Sequence, residues 1–135
     1  MAKPTIDGPG QAKLQQLQTA TTIVQTVHGL VERFAIAVRT GQPTASFGQM
    51  IKRSATPLVG LLRSQFQLLA DQSSDLILVA TRGGGADAAR LRMLRERVAM
   101  LRSGIELSIT STTAKHATAE QASGASSAAN GVGNQ

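Results

Sequence analysis

The sequence contains no cysteine, no tryptophan and no tyrosine, and only three of its 135 residues are phenylalanine. The lack of cysteine excludes disulfide bonds and thiolate metal sites, and it is compatible with an intracellular location. Large aromatic rings supply much of the buried area in compact monomers. A core of leucine, valine, isoleucine and alanine therefore favours long helices packed side by side, often with a partner chain.

Long apolar runs are absent as well. Uninterrupted runs are short, as in residues 76–80, whereas a membrane-spanning helix needs roughly 18 apolar residues. Residues 1–13 also lack the apolar segment of a secretory signal peptide. We expect a soluble, intracellular protein that has no contact with a membrane.

Residues that could carry out catalysis or bind a metal ion are sparse. His28 and His116 are far apart in the chain, and Asp71 and Asp75 lie next to serines as a pair that we expect to be solvated. No serine has the sequence of a nucleophile elbow, and no pair of carboxylates is spaced with a histidine as in a di-metal bundle. We therefore expect no enzyme activity, no cofactor and no metal site.

The three glycines at 83–85 raise the question of a phosphate-binding loop. A P-loop ends in Gly-Lys-Ser or Gly-Lys-Thr and follows a β-strand. Neither condition holds here, because Gly85 is followed by Ala86 and Asp87, and residues 76–80 continue a helical pattern. We interpret the glycines as a flexible connection between two helices.

Apolar residues at helical spacing are the main positive signal. From residue 11 to about residue 40 they repeat every three or four positions with a seven-residue period, which predicts an amphipathic helix of about 30 residues. The sequence Gly41-Gln42-Pro43-Thr44 ends it. A second helix is predicted from Phe47 to about Ala80, with Ser46 and Gln49 as a capping box.

Pro57 interrupts the second predicted helix, because proline removes one backbone donor and clashes with the preceding turn. It either kinks one helix or separates two, and we expect a kink or a short break there. A third helix is predicted to begin near Asp87 and to fray by Thr110. The expected organisation is a flexible lead (1–10), a helical domain (11–112) and a disordered tail (113–135), which is small, polar and aperiodic.

The predicted fold is all-α: a long helical hairpin plus a third helix that complete a four-helix-type bundle with a partner chain. Stripes of this width on so few helices leave apolar surface uncovered, and such surface marks partner sites. The sequence does not distinguish a homo-oligomer from a hetero-oligomer. The predicted interface consists of the apolar positions Leu17, Val24, Val27, Val31, Phe34, Leu58, Leu62, Leu69, Leu94, Val98 and Leu101.

Arginine is concentrated around the third predicted helix. The segment 82–102 contains six arginines and two acidic residues, a local charge of +4, in a chain of net charge +6. Clustered arginines form a solvated helix face, bind an acidic partner protein or bind nucleic acid. Nucleic-acid binders usually add a fold motif or stacking aromatics, so that alternative is not favoured. The candidate contacts for a polyanion or an acidic partner are Arg90, Arg92, Arg95, Arg97 and Arg102.

The layout resembles subunit eleven of the Mediator head module. The resemblance rests on LQQLQTATTIVQTVHGLVERF at 14–34, the following GQP, and FGQMIKRSATPLVGLLRSQFQLL at 47–69, and it covers about residues 14–107. The arginine-rich third helix and the polar tail depart from the family pattern. The resemblance implies a non-catalytic structural subunit of a nuclear transcription coactivator. It also implies a heterodimeric four-helix bundle with a partner similar to Mediator subunit twenty-two.

Overall fold

The computed structural model describes residues 8–82 and 85–116. Over these two ranges the chain forms four helices and no strand. The helices are α1 (Gly8–Thr40), α2 (Phe47–Arg63), α3 (Gln67–Thr81) and α4 (Asp87–Lys115). The predicted all-α fold is confirmed.

Helix α1 extends the predicted first helix by one turn at its start, since it begins at Gly8 and not at Gln11. Its many threonines are compatible with a helix because their hydroxyls donate hydrogen bonds to the carbonyl four residues earlier, for example from Thr21 to Leu17 at 2.9 Å. Gly41 ends the helix with a positive φ of 72°. Glycine adopts this left-handed backbone without the steric cost that a side chain imposes.

The second predicted helix is divided in the structure, but not at Pro57. Pro57 lies inside α2 on its exposed side, and the break falls at Ser64–Phe66, between α2 and α3. Pro57 therefore does not separate two helices, and the predicted short break was wrong in position. Phe66 leaves the helical conformation at φ −138° and ψ 67°, which turns the chain back on itself and lets α3 run antiparallel to α2.

The ends of α2 and α4 agree with the sequence in part. Ser46 is the N-cap of α2, but its side chain makes no capping hydrogen bond. Helix α4 begins at Asp87 as predicted and continues to Lys115, past Thr110 where fraying was expected. Residues 1–7 and 117–135, which hold most of the predicted lead and tail, lie outside the described residues.

The four helices form a closed bundle in which each packs against two others, in the cyclic order α1, α2, α3, α4. Contacts along α1 and α4 show that these two long helices are antiparallel: Lys13 lies near His116, Glu32 near Arg95, and Thr44 near Asp87. At the other side of the bundle, the start of α2 packs against the end of α3.

The core of the bundle lies within this single chain. Apolar side chains from all four helices form one buried cluster, in which Phe34 is the only aromatic side chain among the described residues that is fully buried. Its ring lies 5.6 Å from that of Phe47, which is partly buried at the start of α2. The fourth helix that the sequence assigned to a partner is thus supplied by α3. Association with a further chain stays a prediction.

Gly48 lets α2 approach α3 closely. A β-carbon at this position would collide with the backbone carbonyl oxygen of Ala80, which cannot rotate away.

We expect Gly48→Ala to lower the free energy of unfolding by about 1–3 kcal/mol, as overpacking does. Gly60→Ala is the matched control on the same helix, because a β-carbon there would meet nothing within 4 Å. It should raise stability by about 0.5–1 kcal/mol. Urea unfolding measures both, and equal effects would contradict the α2–α3 packing.

Candidate protein-interaction site

The eleven residues of the predicted interface all lie in the core of the bundle. Each is at most 3% exposed, with contributions from all four helices. In this conformation a partner protein has no access to them. Their spacing marks helix faces that pack on one another within the chain, so these residues do not form a surface for a partner.

Six large apolar side chains of the described residues are exposed, and five of them belong to α3 and α4. The exception is Ile36 of α1, which is 49% exposed. We call the surface formed by the other five the α3–α4 face. Its members are Leu68 (70% exposed), Leu78 (56%), Met93 (38%), Met100 (48%) and Leu107 (71%).

The helical period explains why these side chains share a surface. Met93, Met100 and Leu107 are separated by seven residues each, which places them on the same side of α4. Gly104 lies on that side too, since a β-carbon added to it would be 2.6 Å from Leu69 Cδ2 of α3. The apolar row of α4 therefore runs along the seam between the two helices.

The positions of Leu68 and Leu78 on α3 can be inferred from the contacts that α3 makes with α4. Asp75 of α3 forms an ion pair with Arg97 of α4, Oδ2 to Nε, at 3.3 Å. Leu68 precedes Asp75 by seven residues and so projects from the same side of α3. Leu78 lines a surface hollow of about 170 Å³ together with Met93. Leu78 and Met93 thus line one hollow between the two helices, and Leu68 lies further along α3 on the side of Asp75.

Two polar atoms along this seam are buried without a hydrogen bond. One is Oε1 of Gln72 and the other is Nε of Arg97. The ion pair of Arg97 with Asp75 gives Coulombic attraction, but its geometry does not satisfy the N–H group. A buried polar group without a hydrogen bond costs free energy. The contact between α3 and α4 is therefore less well satisfied than the apolar core behind it.

The candidate arginines are distributed around α4 and do not form one patch. Arg90 and Arg97 lie on the side that faces α3, where both line the hollow beside Met93. Arg102 lies on the other side and lines a hollow with Thr21 and Val24 of α1. Arg92 is exposed. The structure therefore does not bring the five candidates together.

Three of these arginines have acidic partners. Arg90 lies 3.7 Å from Asp87, Arg97 pairs with Asp75, and Arg95 binds Glu32 through two hydrogen bonds of 2.8 and 3.1 Å. The hydrogen bonds from Arg95 are the main reason why the pKa of Glu32 is lowered from its ordinary value. Partial neutralisation reduces the attraction of this helix for a nucleic-acid backbone.

The remaining titratable residues form no evident reactive centre within the described ranges. His28 is half-buried in the interior of α1, and His116 lies 3.4 Å from the amine of Lys13, near the start of the same helix. Asp71 accepts a hydrogen bond from Gln67, so Asp71 and Asp75 each have their own partner. Across 8–82 and 85–116, no group of three histidine or acidic side chains is placed to hold a metal ion. No helix in these ranges is long and apolar enough to cross a membrane.

The α3–α4 face was not predicted from the sequence. The seven-residue spacing of Met93, Met100 and Leu107 is visible in the sequence, but it runs parallel to the stronger stripe of Leu94, Val98 and Leu101. No sequence pattern distinguishes Leu68 and Leu78 from the buried leucines, because their exposure depends on where α3 begins. The methionines were a usable signal, since methionine side chains adapt to varied partners at binding surfaces.

No known protein family matches this chain, and neither a curated protein nor a solved structure matches it.

Proposed function

We propose that this protein is a non-catalytic structural subunit that binds another protein through the α3–α4 face. The observation that carries the proposal is the concentration of five exposed large apolar side chains on two adjacent helices. Scattered apolar residues are normal on a protein surface, whereas a contiguous group rimmed by polar residues marks an interaction site.

The energetics favour association at this face. Covering an exposed leucine or methionine side chain gains about 1.5–3 kcal/mol when burial is complete. Part of that gain offsets the loss of translational and rotational freedom on binding. Five such side chains on two adjacent helices are enough for a moderate affinity, and the closed core behind them keeps the two helices in place.

The resemblance to subunit eleven of the Mediator head module supports the same class of function. On that basis the complex that we propose is a Mediator-like coactivator in the nucleus, where the protein supports transcription by RNA polymerase II. The partner would be a helical protein similar to Mediator subunit twenty-two. The binding surface differs from the stripe predicted from the sequence, because that stripe is used for the internal core.

We expect Met93→Glu combined with Met100→Glu to abolish copurification of the partner from the native source. Both side chains are exposed, so the substitutions should leave helical circular dichroism and the unfolding midpoint nearly unchanged. The matched control is Ile36→Glu, which places a charge at the exposed apolar residue of α1. Quantitative mass spectrometry of the three pull-downs measures the effect. Retention of every partner by the double variant would contradict the proposed function.

A further inference from the structure

We propose, given the function proposed above, that the partner segment bound at the α3–α4 face is an amphipathic α-helix with acidic residues at both ends. It lies along the groove between the two helices, with its apolar side against Met93, Met100 and Leu107. Three features of the face carry this inference: the length of the apolar row, the charge at its two ends, and the charge between them.

The apolar row has the dimensions of a helix-binding groove. From Met93 to Leu107 are fourteen residues of α4, which span about 21 Å at a rise of 1.5 Å per residue. Large side chains repeat along it with the seven-residue period that matches a second helix packed alongside. Gly104 lies between Met100 and Leu107 on the side towards α3, where the absence of a side chain leaves room for Leu69 of α3.

One end of the groove is basic. Arg82, Arg90 and Arg97 line the hollow beside Met93, together with Asp75 as the one acidic residue among the described residues of that lining. Asp75 and Asp87 neutralise part of this charge through their ion pairs with Arg97 and Arg90. Arg82 adds a further positive charge, so this end favours carboxylates on the partner.

The other end is basic too. Leu107 lines a second hollow with Lys13, Lys115 and His116, to which α1 and the last turn of α4 contribute. The lining of that hollow includes no acidic residue among those described. Between the two ends, Asp71 is exposed on the outer side of α3. The surface beside the apolar row is therefore basic at both ends, with an exposed acidic side chain on α3 between them.

This pattern discriminates among occupants. A second copy of the same chain would bring its own basic ends against these ends in either orientation, and like charges placed opposite each other oppose association. Nucleic acid presents uniform negative charge and no apolar side to the row of Met93, Met100 and Leu107. An acidic-ended amphipathic helix matches both the apolar row and the charges.

Three synthetic helical peptides of about 18 residues, about 27 Å long, test the inference. All carry leucines at positions i, i+4, i+7 and i+11. The first has glutamates at both ends, the second has the same composition with its glutamates in the middle of the polar side, and the third has lysines in place of the terminal glutamates. Binding to the full chain is measured by fluorescence anisotropy with a labelled peptide, since the protein has no tryptophan or tyrosine.

We expect the peptide with terminal glutamates to bind at least about tenfold more tightly than either of the others, a difference of about 1.4 kcal/mol. Arg82→Glu with Lys115→Glu should remove this preference, whereas the control pair Arg33→Glu with Arg53→Glu, which are exposed on α1 and α2, should retain it. Met93→Glu with Met100→Glu should abolish binding of all three peptides.

Other outcomes overturn the inference in distinguishable ways. Equal affinities for the three peptides, or no binding of any, would contradict the acidic-ended helix. The proposed function would then be tested separately by the pull-down with the Met93→Glu, Met100→Glu variant. A dimer in sedimentation velocity that becomes monomeric in that variant would identify a second copy as the occupant. Displacement of the terminal-glutamate peptide by duplex DNA at physiological salt would assign the basic ends to nucleic acid.

Discussion

Val27→Asp combined with Val31→Asp is expected to unfold the isolated chain. Both valines are fully buried in the core of the bundle, where an aspartate has no cationic partner and loses its hydration. An unpaired charge in such a site costs several kcal/mol, and two of them together approach the whole stability of a domain, which is about 5–15 kcal/mol. Far-ultraviolet circular dichroism and thermal unfolding should show loss of the cooperative transition.

The matched control is Thr22→Asp with Thr26→Asp. These residues are exposed on the same helix and have the same four-residue separation. Surface substitutions of this kind change stability by about 0.5 kcal/mol or less. If the valine variant stayed folded but lost its partner, the two valines would face another chain, as the sequence alone predicted, and the closed bundle would be wrong.

Leu101→Ala is expected to lower the free energy of unfolding by about 2–5 kcal/mol, whereas Leu107→Ala should change it by less than about 0.5 kcal/mol. Leu101 is 0% exposed and Leu107 is 71% exposed, although both are leucines of α4. Removing the first leaves a cavity among packed side chains. Removing the second takes three carbon atoms from solvent-exposed surface and leaves a residue of high helix propensity.

Of the two substitutions, Leu107→Ala should have the larger direct effect on partner binding, although it has the smaller effect on stability. Leu107→Ala should weaken partner capture without loss of stability, because Leu107 belongs to the α3–α4 face. Urea unfolding and pull-down of the two purified variants provide the comparison. Similar destabilisation by both substitutions would show that α4 is rotated relative to the bundle, and it would remove the basis for the face.

Helix content and the helix ends beside the two loops at 41–46 and 82–86 could be predicted because they depend on local chemistry. The end of α1 follows from the turn residues that begin at Gly41, and α2 and α4 start where the helical apolar pattern resumes after each loop. The break at Ser64–Phe66 could not be predicted in the same way. The spacing of Leu58, Leu62, Phe66 and Leu69 continues a helical stripe through it, and no glycine or proline marks it.

That break decided the interpretation of the apolar stripes. If the chain formed three helices, their apolar stripes would have more surface than the three helices could bury against one another. A partner chain would then be needed to complete the bundle. With four, α3 turns back to pack on α2 and α4, and the eleven predicted interface residues become internal core. The sequence thus identified the side chains that must be buried, but not the surface that buries them.

The sequence by itself determined that the chain is helical and which side of each helix is apolar, because both depend on residue properties and helical period within a few turns of the chain. The tertiary structure alone decided that the core closes within one chain and that Leu68, Leu78, Met93, Met100 and Leu107 remain at the surface. These features depend on the direction in which α3 leaves α2 and on the close approach of α2 to α3 at Gly48. Contacts between residues distant in the chain determine the direction of α3 and its close approach to α2. The periodic pattern of the sequence does not predict such contacts.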